Sequence, residues 1–476
     1  MSSLGSILNV ARSAMQASQV ALQTTSQNIA NAGVAGYTVQ RVQFAAHAPE
    51  RFPYGLLGTG VDVASITQSR DRLLDAQYRT AVGASSNESR TGDALGRIEQ
   101  VLGEPSTTGL SNSLDAFWSS WSDLASDPTS LAARGVVRQR GSEVAGMLNT
   151  FATQLDGVAR DSRTQLASDV SRLNQLTSQI AGMAPAIVGA EANGQTANDL
   201  RDARNRLIDE VSGLVDVQVI DRTDGSVGIY LGGRTIVDGT SSTALALSGG
   251  QPVAVTFAGE PDALQTIGGS IGASVTTLDV TLPGVMKDLD TFAGALVRQT
   301  NTVHKSGTVY TGTPPVAAAA GNFFEQDPVL VGSADAFQTA RGIRLSASLA
   351  NLTAIAASGP SATGPGDNSV ANGLASLRDA SFTLGTASGS TITGSLGSFY
   401  RYTVSTVALA SSRSSSESSV RDTLMSQAEA RRDSVSGVAT DEELVNMIKQ
   451  QQAYQAAAKL ITVVDEMADT LINLKR

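Results

Sequence analysis

Two helix-length stretches with the same seam stand at the two ends of this 476-residue chain, and any fold has to accommodate both. The last, Thr440 to Leu474, contains no Gly and no Pro. Its apolar residues Ala453, Ala457, Leu460, Val464, Met467, Leu471 and Leu474 recur by fours and threes, flanked by Tyr454, Ile461, Ala468 and Ile472. This is coiled-coil spacing over about three heptads. Thr440 with Glu443 has the form of a capping box. Asp441, Glu442 and Glu443 in the first turn, and Lys475 and Arg476 at the far end, suit the helix dipole. The first stretch steps in the same way through Leu4, Leu8, Ala11, Met15, Ser18, Leu22, Thr25 and Ile29. Ser2 and Ser3 offer N-caps. Asn31 and Gly33 offer the stop, where a left-handed residue is wanted.

Ordering some thirty residues costs roughly 1–2 kcal/mol each in backbone entropy. A large buried seam residue returns about 1.5–3 kcal/mol, and several seam positions here are Ala, Ser or Thr. Either helix alone is therefore marginal; the two need each other, and neighbouring subunits. Ordinary amphipathic helices packed on a globular core are the competing reading of the same periodicity.

The length suffices for about three domains. Net charge is −10, which argues against nucleic acid, whose binding rests on neutralised phosphates, and against an anionic membrane surface. There are no cysteines, so disulfides, thiolate metal sites and cysteine nucleophiles are excluded. Aromatics make up 4%, which suits elongated packing more than a large compact core. The N-terminal stretch does not read as a secretory signal, because polar residues interrupt it at every turn. No run reaches the roughly 18 apolar residues of a membrane span.

Taken in order, the chain reads as multidomain α+β. Extended residues around Val61, Val63 and Ile66 follow the first helix. One helix starts near Arg70 and another covers Gly92 to Leu102. Leu110 to Leu124 carries Trp118 and Trp121 on one face, a core pair. Pro128 starts a long helix that Pro185 breaks, and Asn198 to Leu214 forms the next. At Val215 the period changes to two, with a hairpin turn at Arg222–Gly225. Val275 and Leu278 read as strand, and Leu282–Pro283 closes this β region before a helix over Val285 to Lys305. A Gly/Ser/Ala/Thr-rich insertion follows, with an exposed loop from Gly359 to Asn368. Leu396 to Arg432 is the last long helix before the terminal one. The expected domains are 1–38 with 437–476 (terminal coiled coil), 39–213 with 285–306 and 396–436 (long-helix bundle), 214–284 (inserted β-rich domain) and 307–395 (mixed outer region). Ends that pair across insertions make the architecture nested.

The exit of the first helix is Asn28-Ile-Ala-Asn31, then Ala35-Gly36-Tyr37-Thr38-Val39-Gln40. Together with Gln452-Ala453-Tyr454-Gln455 and the closing Asp469-Thr470-Leu471-Ile472-Asn473-Leu474, it resembles the flagellar axial proteins of rod, hook and hook-associated type. Within these it is most similar to the hook-associated protein 1 family. Val39 and Ala457 depart from the residues common there. The two signatures cover about 80 residues, and a Gly366-Asp367-Asn368 stretch resembles one that precedes a short helix in that family.

The resemblance implies a structural protein of the bacterial flagellum that polymerises at the hook tip and joins hook to filament. It implies terminal helices that order on polymerisation and form an inner coiled-coil tube. It also implies transport by the flagellar secretion apparatus to the extracellular flagellum. The partners implied are further copies of the chain, the hook protein, the second hook–filament junction protein and an export chaperone on the C-terminal helix. Another axial protein, such as a hook or distal rod protein, is the alternative.

A secreted cell-wall hydrolase would need a catalytic cluster. Gly268-Gly-Ser270-Ile-Gly272 has the nucleophile-elbow pattern but lacks a strand before, a helix after and a partnered histidine. His47 and His304 lack metal-ligand spacing, and no cofactor is expected. An adhesin role for the outer regions is left open by their Ser/Thr-rich surface.

Overall fold

The computed structural model describes residues 2–52, 55–192, 194–250, 252–265, 267–311, 315–326 and 339–473. Leu474, Lys475 and Arg476 lie outside these residues, as do the side chains of Ser2 and Ser3, so the expectations placed on them stand apart from the structure. Helix α1 (Ser2–Asn31) is followed by strands β1 (Gln40–Ala46), β2 (Glu50–Phe52), β3 (Gly55–Leu57) and β4 (Val61–Gln68). β1 and β4 form an antiparallel ribbon from Gln40↔Gln68 to Ala46↔Val61, and β2 pairs with β3 beyond it. The ribbon lies along α1; the Val61 amide donates to the Ser13 hydroxyl.

The body begins with α2 (Arg72–Leu102), capped by the Asp71 carboxylate and stopped by left-handed Gly103. It is one helix where the sequence suggested two. Gly83 lies inside it, and a Cβ there would sit 2.9 Å from the Ser212 carbonyl, so the glycine permits a close helix approach that offsets its poor propensity. After α3 (Leu110–Ser126), α4 runs unbroken over Leu131–Glu191. It is capped by Ser130, two residues past Pro128, and keeps Pro185 inside. A proline in a helix interior costs about 3 kcal/mol. Here Ile180, Ala181, Ala184 and Ile187 are all buried around it, and their packing holds the helix together. Helix α5 (Asn198–Leu214) falls where the sequence placed it.

Strands β5 (Val217–Asp221), β6 (Val227–Leu231), β7 (Arg234–Asp238) and β8 (Ser241–Ser242) form an antiparallel sheet in that order, and β9 (Leu245–Leu247) pairs with β10 (Val255–Phe257). The next segment departs from its strand reading. Residues Gly269–Thr276 form α6, which continues through a π-helical turn at Thr277–Thr281 into α7 (Leu282–Lys305). Gly268 and Gly269 both take positive φ and end the extended chain, and Ile271, Ala273 and Ser274 become buried. The nucleophile-elbow pattern thus lies at a helix start, with Ser270 buried.

The outer region contains β11 (Thr308–Thr311), β12 (Val316–Ala319), β13 (Phe324–Gln326), the single turn α8 (Thr339–Gly342), β14 (Ile343–Leu345), α9 (Ser369–Ser376), β15 (Phe382–Gly385) and β16 (Thr391–Gly394). Among the described residues the strands pair as β11–β12, β13–β14 and β15–β16, and Thr308 of β11 also bridges to Ser358. The loop before α9 is less free than expected. Gly359 is buried, its amide donates to Asp367 at 2.6 Å, and Asn368 donates to the Ala125 carbonyl. Helix α10 (Leu396–Ser436) returns antiparallel along α2, with Ser414 on Glu88, Ser85 on Asp422, and Arg432 stacked 3.8 Å over the Tyr78 ring. Helix α11 (Thr440–Asn473) then packs on α1.

Despite the scarcity of aromatic residues, one continuous buried cluster runs through the helical body into both insertions. Its centre is aromatic. Phe117, Trp121 and Phe323 stack within 6.3 Å of one another, with Phe324 and His304 against them. His304 accepts from the Ala356 amide through Nε2 and meets the Gly321 carbonyl through Nδ1. Burial pushes its pKa down to about 4, and the Gly321 contact opposes this only in part.

Candidate assembly site: the root of the terminal helix pair

Helices α1 and α11 run antiparallel, so the end of one meets the start of the other. At that meeting point Asn28 is fully buried. Its Oδ1 accepts from the Tyr37 hydroxyl at 2.9 Å and the Gln40 amide at 3.0 Å. Its Nδ2 donates to the Gln40 carbonyl at 2.9 Å and to Glu443 Oε2 at 2.8 Å. Gln40 offers one donor and one acceptor of its main chain, which fixes the orientation of the amide and uses all four of its hydrogen-bonding positions. Glu443 is 1% exposed and also accepts from Arg41 and from Asn446 at 3.3 Å. Its carboxylate is therefore committed to α1 and β1 rather than to a capping box with Thr440.

The chain leaves α1 through overlapping turns, and the left-handed residue is Gly36, at φ 75°, rather than Asn31 or Gly33. A Cβ on Gly36 would run into the Arg206 side chain of α5. Asn31 only closes on its own helix, donating to the Gln27 carbonyl. Beyond Gly36, Tyr37 turns back to Asn28. Burial, with the nearby Asp199 and Asp202 charges, pushes the Tyr37 pKa up to about 12, which keeps it a donor. Thr38 is anchored twice on Asp202, by its amide at 3.0 Å and its hydroxyl at 2.8 Å. Gln40 donates to Asp199 at 2.9 Å, and Gln68 reaches Asp202 at 2.8 Å. Burial raises the Asp202 pKa, while the Thr38 donors and Arg70 pull it back. The two connections are tied together as well: the Val39 amide donates to the Ser436 carbonyl, and the Ser69 hydroxyl to that of Val435.

Asn28, Gly36, Tyr37 and Thr38 are thus brought into one cluster. Asp199, Asp202, Gln68 and the carboxylate of Glu443 belong to it too, and sequence reasoning had missed them. A polar face on α5 (Asn198, Asp199, Asp202, Asn205) was the available signal.

The seam has to be redrawn. On α1, Ala11, Ser18 and Thr25 are buried, Leu4, Met15, Leu22 and Ile29 half-buried, and Leu8 exposed. On α11 the residues turned to α1 are Tyr454, Ala457, Ile461, Val464 and Ala468, again spaced by threes and fours. Only Ala457 and Val464 are shared with the expected seam. Ala453, Leu460, Met467 and Leu471 lie on the other side and are exposed, as are Gln452 and Gln455. With Val445, Ile448 and Val463 they form a second, outward apolar stripe. Two overlapping heptads run through one helix, and periodicity alone does not say which faces the partner.

Residues 8–38 match the family model of the flagella basal body rod protein, and residues 432–474 that of the flagellar basal body rod FlgEFG protein C-terminal region. These two matches take in Asn28, Gly36, Tyr37, Thr38 and Glu443 of the cluster, while Gln40, Gln68, Asp199 and Asp202 lie outside them. The middle of the chain, residues 95–324, matches the helical domain of the flagellar hook-associated protein FlgK. Its ends and its middle together are similar to the flagellar hook-associated protein 1 family. Flagellar hook-associated protein 1 of Bacillus subtilis is 29% identical, over 98% of this chain and 97% of that protein. The protein of the same name from Salmonella typhimurium is 30% identical over 64% of this chain and 57% of its own length. The solved structure of the flagellar hook junction protein FlgK from Burkholderia pseudomallei shares the fold, with a TM-score of 0.65 at 16% identity, over 76% of this chain and all of that one. This family places the chain among the structural proteins of the bacterial flagellum, at the junction of hook and filament.

Proposed function

We propose that the chain performs this junction role by polymerising through its terminal helices at the hook tip. The observation that carries the reading is the outward stripe of α11. Val464 and Ala457 are covered by α1, while Leu460, Val463, Met467 and Leu471 stay uncovered along the same helix. A helix with one covered and one uncovered apolar face suits a tube in which each α1–α11 pair packs on the next copy. The pair alone buries little, with Glu443, Ala457 and Val464 the only buried residues among those described on α11, so neighbouring copies complete its burial. On this reading the terminal pair is the inner domain, the long helices form the body, and the 214–284 and 307–395 regions lie outward. The neighbours are the hook protein below and the second junction protein above. An export chaperone shields the outward stripe during transport through the flagellar secretion apparatus to the extracellular flagellum.

The absence of cysteine from the chain makes the test clean. Met467→Cys should react readily with a small thiol reagent in the monomer and be protected from it in assembled flagella. A thiol as reactive in intact flagella as in the monomer would place this stripe outside the tube and sink the reading.

A further inference from the structure

A cleft of about 900 Å³ opens between α2, α5 and the β5–β6 hairpin. Arg70, Arg72, Arg79, Arg201 and Arg204 line it, against Asp75, Asp216 and Asp221. The lining therefore has an excess of two positive charges in a chain of net charge −10. Carboxylates outside the lining also pair with these guanidinium groups, Asp209 on Arg79 at 2.7 Å, Glu191 on Arg201 at 2.6 Å and Asp202 on Arg70 at 3.4 Å, where Asp75 is the closer partner at 2.5 Å; with them counted the positive excess is offset. A guanidinium has five N–H donors, and a carboxylate occupies at most two of them. These pairs fix the orientation of the arginines and leave donors unused.

Two of the unused donors are identifiable. Nη2 of Arg79 and Nε of Arg204 have no hydrogen-bond partner among the described residues, on side chains only 9% and 4% exposed. A buried, unpaired charged donor is costly, and an anionic oxygen is the group that relieves it. Arg204 is the most crowded. Burial lowers its pKa to about 10; Asp221 opposes this, while Arg201, Arg70 and Arg79 add to it.

We propose that this cleft binds a small polyvalent oxyanion of the phosphate or citrate class, independently of the polymerisation reading. Arg72 and Arg204 already reach across from the helical body to Asp221 on β5, at 3.0 and 3.6 Å. An anion seated among the arginines braces the inserted β sheet on the body.

The test is thermal unfolding and calorimetric titration of the full chain with inorganic phosphate and with citrate, against sodium chloride at matched ionic strength. The variants are Arg72→Gln, an exposed position that leaves the fold intact, and Arg201→Gln. The expected result is a saturable rise in melting temperature with at least one oxyanion, slower amide exchange over residues 217–231, and a Kd raised roughly ten-fold in at least one variant, the worth of a charge-assisted hydrogen bond. A melting temperature that follows ionic strength alone, or an unchanged Kd in both variants, overturns the proposal.

Discussion

Nδ2 of Asn28 donates to Oε2 of Glu443 at 2.8 Å, across 415 positions of sequence. The bond joins the last turn of α1 to the first turn of α11, and both groups are buried. Asn28→Ala leaves the Tyr37 hydroxyl, the Gln40 amide and a buried carboxylate short of partners. The expected cost is about 2–3 kcal/mol, confined to the root of the helix pair. Hydrogen exchange should show residues 24–31 opening more readily while the melting temperature of the body holds.

The two stripes of α11 should respond differently to charge. Val464 is 6% exposed against α1, so Val464→Asp buries a carboxylate in an apolar contact, at a cost of several kcal/mol, and separates the pair in the monomer. Leu471 is 53% exposed, so Leu471→Asp should leave monomer helicity unchanged by circular dichroism and abolish incorporation into the flagellum, read as lost swimming.

Gly36 should tolerate no side chain. At φ 75° an Ala is strained by about 1–2 kcal/mol, and its Cβ also meets Arg206. Gly36→Ala should therefore loosen the Thr38 anchor on Asp202, and the Thr38 amide should exchange roughly ten-fold faster.

The buried His304 makes stability depend on pH. The unfolded chain takes up a proton as pH falls through 6.5, and the folded chain resists until about 4. The stabilisation is whole above pH 6.5 and is lost progressively from there down to about pH 4, in total about 3 kcal/mol. Urea midpoints at pH 7 and pH 4.5 should differ by less in His304→Gln than in the natural chain.

Much of this fold was legible in the sequence because its long helices carry simple periods and end at recognisable residues. Helix α5 and the Arg222–Gly225 hairpin are cases where apolar period and turn chemistry agree. Where the sequence placed a second helix start at Gly92 and a break at Pro185, packing of neighbouring elements outweighed local preference. The strand expected at Val275 failed because its apolar run suits a buried helix equally well. The motif residues Asn28, Gly36, Tyr37 and Thr38 were visible as a shaped exit, and their purpose was not. Their partners Asp199, Asp202 and Glu443 lie far off in sequence, and only the folded chain brings the carboxylates to them.

The bond that closes the root also sets an order of events. In a chain that emerges from its N-terminus, Asn28 exists long before Glu443 does, and the span between them must be completed before the amide finds its carboxylate. Contacts of such separation form late, since the loop they close has to be gathered first. The body and its insertions can settle while the first helix still waits. The segment that readies the molecule for its neighbours is thus the one finished last, and a chain truncated before its final helix lacks the means to present that surface.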